Sequence, residues 1–218
     1  PPGYGYTPPE HAEWVEAWLE SLDLPPFVMV VQDWGGPIGL HYAVAHPERI
    51  AGLVVLNTWA WPADLAMTLF SSVMGGPIGK YLCLSKNFFA DRIVRGGIYD
   101  AKRKSNEVFS AYTAPFPTEK ERIGTYVFPR AIRTEAKWLA QLERDLEELR
   151  DKPAELVWGM KDKAFGSERY IARWLLHLPS ARVNRLEKAS HYLQEDQPKE
   201  IADSVRRVLR ASDKLSAR

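Results

Sequence analysis

The sequence predicts an α/β protein with a mostly parallel sheet interrupted by a helical insertion. Three observations predict it. Short, continuous apolar runs recur at Phe27–Gln32, Gly52–Asn57 and Ala154–Gly159, as in strands buried on both faces. A helical pattern joins the first two, which implies parallel neighbours and a right-handed crossover. Between Pro62 and Arg150 the chain has helix-like segments broken by Gly and Pro, with no strand alternation.

The elements follow in order. Residues 1–9 form a Pro/Gly/Tyr loop. Thr7 can cap a helix from about Pro9 to Leu22, because Pro is tolerated in a first turn. Its apolar positions Ala12, Val15, Trp18 and Leu19 recur at helical spacing. After the Phe27–Gln32 strand, Ile38–His46 reads as a helix stopped by Pro47. Gly52–Asn57 is the second strand. The insertion contributes "ADLAMTLFSSVMGG", "NFFADRIVRGG" and "PTEKERIGTYVFP". Ala154–Gly159 is the next strand and Ser167–His177 a helix. Arg182–Leu186 is the last strand and Pro198–Leu209 a closing amphipathic helix. The expected division is a partial core over 1–61 and 151–218 and a helical cap over 62–150.

Bulk numbers exclude several classes. The chain has 218 residues, 45% hydrophobic and 26% charged, with a formal net charge of +1. That is an ordinary globular composition with no basic field for nucleic acid or an anionic membrane. The charged run "QLERDLEELRDK" reads as a solvated helix face. The one cysteine, Cys83, rules out an intramolecular disulfide and fits a reducing compartment, with the cytoplasm expected. It reads as a small buried residue of the insertion. No apolar run reaches membrane-spanning length. The opening "PPGYGYTPPEHAEW" reads as a loop entering a helix. The first strands of the sheet are expected to be absent, which would leave the Phe27–Gln32 strand with an open edge.

Open α/β sheets bind ligands beyond the carboxyl ends of their strands. The loops there are Asp33–Gly36, Asn57–Pro62, Gly159–Phe165 and Glu187–His191. Three hold a candidate catalytic group: Asp33 in "VVQDWGGP", Asp162 in "GMKDKAF" and His191 in "KASHYLQED". The chain order is nucleophile, acid, histidine, with Asp at the strand-to-helix elbow where Ser is usual. The tight corner predicts no room for a side chain at Gly35. Val31 stands where the serine form of the motif has Gly.

A carboxylate is a nucleophile without deprotonation and can displace a leaving group from saturated carbon. Water deprotonated by His191 can then hydrolyse the resulting ester, with Asp162 orienting the imidazole. The Trp34 backbone N–H can stabilise the oxyanion. The Trp34 indole, a donor with no acceptor, can hold a departing halide. Phe116, Phe128, Phe165 and Trp59 are candidates for an apolar substrate pocket, against plain core packing. Trp61 reads as pocket wall or packing rather than a halide ligand. His11, His41, His46 and His177 fall on helices, where surface or packing roles are the default.

At these residues the chain resembles the haloalkane dehalogenases. "VVQDWGGPIGLHYAVAHPERIAGLVVLNTWAWP" is similar to their nucleophile segment and "PFPTEKERIGTYVFPRAI" to their cap. "VWGMKDKAF" and "ASHYLQEDQP" resemble their acid and histidine segments. The resemblance covers nearly the whole chain. It implies the α/β-hydrolase fold, hydrolysis of haloalkanes by water with halide release, and no organic cofactor or metal. It implies no nucleic-acid or membrane partner. It implies Asp33 as nucleophile, His191 as base, Asp162 as acid and Trp34 as halide ligand, as in subfamily III. That branch also has an upstream "HGNP"-type loop supplying a second donor, which this sequence lacks. Two other readings stay open: an epoxide hydrolase, with ring-protonating tyrosines among Tyr81, Tyr99, Tyr112 and Tyr126, or a catalytically incomplete fragment.

Overall fold

The computed structural model describes residues 3–216, so residues 1 and 2 of the expected opening loop lie outside it. Helix α1 spans Pro8–Ser21. Thr7 caps it through a reciprocal pair with Glu10, whose carboxylate accepts the Thr7 N–H at 2.9 Å. Ala12 and Leu19 are buried, but Trp18 is 59% exposed, contrary to the apolar face expected of it.

Strand β1 (Phe27–Val31) leads into α2 (Gly35–Ala45). The helix starts at Gly35, earlier than Ile38, because the chain turns into helix directly behind Asp33. His46 lies one residue beyond its end as the C-cap. Strand β2 (Ile50–Leu56) follows and is almost wholly buried.

The insertion then supplies α3 (Leu65–Met74), α4 (Pro77–Lys86), α5 (Val94–Gly97), α6 (Asn106–Thr113), α7 (Ile123–Thr134) and α8 (Ala136–Asp145). A π-helical turn over Phe89–Ile93 precedes α5. Cys83 is fully buried in α4. The charged run after Leu139 solvates its charges but buries Leu142, Leu146 and Leu149. Strand β3 (Ala154–Gly159), α9 (Glu168–His177), β4 (Arg182–Leu186), α10 (Leu193–Asp196) and α11 (Pro198–Ser216) complete the chain. Helix α11 runs past Leu209 because no Pro or Gly interrupts it before Ser216.

The four strands lie in the order β1-β2-β3-β4, all parallel, with Val31 opposite Val55, Leu56 opposite Val157 and Gly159 opposite Leu186. Side chains alternate between two helical layers, as the two-residue strand period demands. Leu53, Val55, Leu156 and Trp158 pack among Leu40, Tyr42, Leu139 and Trp174. Val54, Leu56 and Val157 pack on Leu193 and Val208. The expectation that Phe27–Gln32 is buried on both faces fails at Val30, which is 45% exposed. Among the described residues β1 is an edge strand paired only with β2, so one of its faces is incompletely covered.

Candidate active site

The carboxyl ends of β1, β2, β3 and β4 converge on one spot. Asp33 sits at the β1–α2 corner with φ of 46°, a left-handed conformation that non-glycine residues rarely adopt. Three hydrogen bonds hold this corner. The Asp33 N–H donates to the Asn57 carbonyl at 3.1 Å, the Gly36 N–H donates to the Asp33 carbonyl at 2.9 Å, and the Thr58 hydroxyl donates to the same carbonyl. The crowded glycine is Gly36, not Gly35 as expected. A Cβ on Gly36 would lie 1.9 Å from Thr58 Oγ1, whereas one on Gly35 would meet nothing within 4 Å. The helix turns Gly36 back toward the end of β2 and Gly35 away from it.

His191, after β4, lies between two carboxylates. Its Nε2 is 3.2 Å from Asp33 Oδ2 and its Nδ1 is 2.8 Å from Asp162 Oδ2. The carboxylates differ in environment: the Asp33 side chain is 40% exposed and that of Asp162 2%. Asp162 has two donors besides the imidazole. The Asn57 amide gives it a hydrogen bond at 3.0 Å and the Ala164 N–H one at 2.8 Å. Burial acts to lower the His191 pKa, but the hydrogen bonds and charges of Asp162 and Asp33 outweigh it and push the value up to about 10. The two carboxylates thus favour the protonated form of the ring.

Asp33 Oδ1 points the other way and accepts the Trp34 N–H at 2.6 Å. The two oxygens thus face different partners: Oδ1 a backbone donor at the start of α2, Oδ2 the imidazole. The Trp34 ring is 6% exposed and lies edge-on to Trp59, centroids 4.8 Å apart, and stacked with Phe128 at 5.9 Å. Phe165 stacks on Trp59 at 5.2 Å and lies 5.9 Å from the His191 ring. Three of the four expected pocket residues, Trp59, Phe128 and Phe165, are therefore gathered around the rings of Trp34 and His191. Phe116 is in the loop between α6 and α7, where its carbonyl accepts the Arg122 Nε–H at 2.9 Å, and no ring contact links it to this group among the described residues.

Of the other histidines, His11 packs on Phe128, His41 on Trp138, His46 on Tyr42, and His177 on Trp61. Asn57 is not among the site residues expected from the sequence. It is fully buried and joins β2 to β3, its amide donating to the Gly159 carbonyl at 3.0 Å and its oxygen accepting the Gly159 N–H at 2.7 Å. Gln32, whose amide donates to the His191 carbonyl, is not among them either. The signal for both was position: each is the first polar residue after an apolar strand.

Such a constellation has a partly exposed carboxylate at a strained corner, an imidazole within reach of it, and a buried carboxylate behind. It can form an ester at Asp33 and deliver water to it. Comparison with known proteins agrees with this chemistry. The profile of the alpha/beta hydrolase fold matches residues 1–198. Haloalkane dehalogenase 2 of Mycobacterium tuberculosis (strain ATCC 25618 / H37Rv) is 39% identical over 207 residues, 94% of this chain and 72% of the relative. The cis-3-alkyl-4-alkyloxetan-2-one decarboxylase of Shewanella oneidensis is 29% identical over 228 residues, covering 98% of this chain and 70% of that protein. Among solved structures, a loop variant of the haloalkane dehalogenase DbeA from Bradyrhizobium elkanii superposes with a TM-score of 0.86 at 25% identity, covering all of this chain and 78% of that one. With the fold matched over most of its length and this degree of identity, the chain belongs to the haloalkane dehalogenase family of α/β-hydrolases.

Proposed function

We propose that the protein hydrolyses haloalkanes to an alcohol, a halide and a proton, with Asp33 as nucleophile, His191 as base and Asp162 as the acid that orients it. The observation that carries this reading is the His191 imidazole lying within hydrogen-bonding reach of both carboxylates at once. Residues 62–150 are read as a cap over a core made of 1–61 and 151–218. Trp59, Phe128 and Phe165 supply apolar wall, and Trp34 the halide donor. Phe116 is left out of the wall. The single buried cysteine fits a reducing compartment such as the cytoplasm.

Asp33 Oδ2 attacks the carbon and the halide leaves with the bonding electrons. The Trp34 indole N–H then stabilises it without donating a proton. Water next adds to the Asp33 carboxyl carbon while His191 takes its proton. The negative charge that develops on Oδ1 meets the Trp34 backbone N–H already placed there. The imidazolium returns its proton to the departing alkoxide, and Asp33 sheds the remaining one to solvent.

The ester step also changes the base. An alkylated Asp33 carries no charge, so one of the two influences that raise the His191 pKa is gone. Burial, which lowers it, gains weight.

Epoxide opening needs a tyrosine free to protonate the ring oxygen. Tyr81 and Tyr99 are 56% and 47% exposed, and Tyr112 donates to Glu195 at 2.8 Å with its pKa pushed up to about 12 by burial and by Glu195. These placements count against three of the four tyrosines considered, leaving Tyr126 on α7.

The test is His191→Phe incubated with dibromoethane and, separately, with styrene oxide, followed by intact mass and free bromide. A bromoalkyl adduct on Asp33 with stoichiometric bromide is expected. An adduct from the epoxide alone would replace this reading with epoxide hydrolysis.

A further inference from the structure

Asp196, the last residue of α10, is 8% exposed, yet its carboxylate faces no arginine or lysine among the described residues. It is satisfied by backbone. The Ser190 N–H donates to Oδ2 at 2.8 Å and the Asp100 N–H to Oδ1 at 2.8 Å. The Tyr99 N–H reaches both oxygens, at 2.9 and 3.0 Å. Two of these donors belong to the insertion, just after α5. The third belongs to the residue immediately before His191.

The residue immediately after His191 is tied to the same place. The Tyr192 N–H donates to the Gly97 carbonyl at 3.0 Å. The backbone on both sides of the imidazole is thus fastened to residues 97–100, on one side through Asp196. Charge-assisted hydrogen bonds are roughly twice as strong as neutral ones. A buried carboxylate with three backbone donors is therefore a stiff joint, and removing it frees the Ser190 N–H next to the base.

We infer that Asp196 is a positioning residue for His191, which couples the inserted helices to the hydrolytic half of the reaction; this rests on the dehalogenase reading above. Alkylation of Asp33 needs the nucleophile and the halide donor but not the imidazole. Ester hydrolysis needs the imidazole within reach of a water over the Asp33 carboxyl carbon. Loss of Asp196 shifts His191 and slows the second step alone, whereas a general packing defect slows both.

The test compares the whole chain with Asp196→Ala and Asp196→Asn in rapid-quench reactions with dibromoethane. Burst bromide, steady-state bromide and intact mass are recorded, with thermal unfolding alongside. Asparagine keeps one acceptor oxygen but turns an NH2 toward backbone donors, so it isolates the carboxylate with little change of volume and serves if the alanine variant fails to fold. The expected result is a burst close to that of the unaltered chain, a steady-state rate lower by roughly tenfold or more, and an accumulating ester. The inference is overturned if burst and steady state fall together, or if both variants match the unaltered chain. An unaltered chain that releases no bromide and forms no ester sinks the dehalogenase reading and this inference with it. A loss confined to the inference leaves the unaltered chain active.

Discussion

Gly36 and Thr58 approach so closely that a side chain on the glycine would occupy the threonine hydroxyl, with a Cβ 1.9 Å from Thr58 Oγ1 and 2.9 Å from Thr58 Cβ. The contact presses the start of α2 against the end of β2 and fixes the corner carrying Asp33. Gly36→Ala is expected to lower stability by about 1–3 kcal/mol, the usual range for overpacking. Gly35→Ala should leave the melting temperature nearly unchanged. Adding Thr58→Ala to Gly36→Ala should recover part of the loss. Thermal unfolding of the three variants checks this, and equal effects at both glycines would contradict it.

Asn57 serves two neighbours with one side chain. Asn57→Ala leaves the Gly159 N–H and carbonyl without that partner and takes one donor from Asp162. A loss of about 1–3 kcal/mol is expected from each buried polar group left unsatisfied. Urea unfolding should show it. Product formation should fall further than stability accounts for, because the acid behind His191 is also loosened.

The pH dependence has a definite sign. The pKa of His191 is raised on folding from 6.5 to about 10. Its ion pairs therefore stabilise the fold fully below pH 6.5, and that contribution is lost as the pH climbs toward 10. Urea unfolding across this window should show the unaltered chain losing stability relative to His191→Gln. Asp33→Asn removes one of the two flanking charges, so the His191 imidazole should titrate at lower pH in an NMR experiment. An unchanged titration would show that Asp162 alone holds the proton.

Trp34→Phe keeps an aromatic ring against Trp59 and Phe128 but removes the indole N–H together with part of the bicyclic ring. A hydrogen bond to a charged group is worth about 1.5–3 kcal/mol. Bromide release should therefore slow by roughly ten- to a hundredfold, by the same arithmetic. Chloride substrates should suffer more than iodide ones, since the poorer leaving group leans harder on its donor. A uniform effect across halides would assign Trp34 to packing.

The open side of β1 should show in solution behaviour. Val30→Lys places a charge on an edge strand where the side chain is already half in water. Light scattering during refolding is expected to fall with little change in folded-state stability.

Much of this arrangement was legible in the sequence, for identifiable reasons. The apolar runs at β2 and β3 located the sheet, and β3 and β4 matched at both ends. Asp33, Asp162 and His191 stood out because each lies in the loop after a strand in a fold that binds ligands there. Other features were not legible. Strand periodicity cannot say whether a neighbour covers a face, so the exposure of Val30 was missed. Helical spacing alone cannot separate Trp18 from Ala12 and Leu19, because all lie within one broad stripe. Which of two adjacent glycines is crowded depends on Thr58, a residue of the loop after β2. The roles of Asn57 and Asp196 depend on hydrogen bonds across about a hundred residues of sequence, which no local pattern encodes.

The two-sided seat of His191 also sets the order of events over a turnover. On the mechanism proposed above, the charge of free Asp33 favours the protonated ring, which cannot deprotonate water. Once substrate has neutralised that charge, the ring can release its proton and begin work. On that mechanism each cycle is self-timed: the first product's departure arms the second step, and completing the second restores the charge that disarms it.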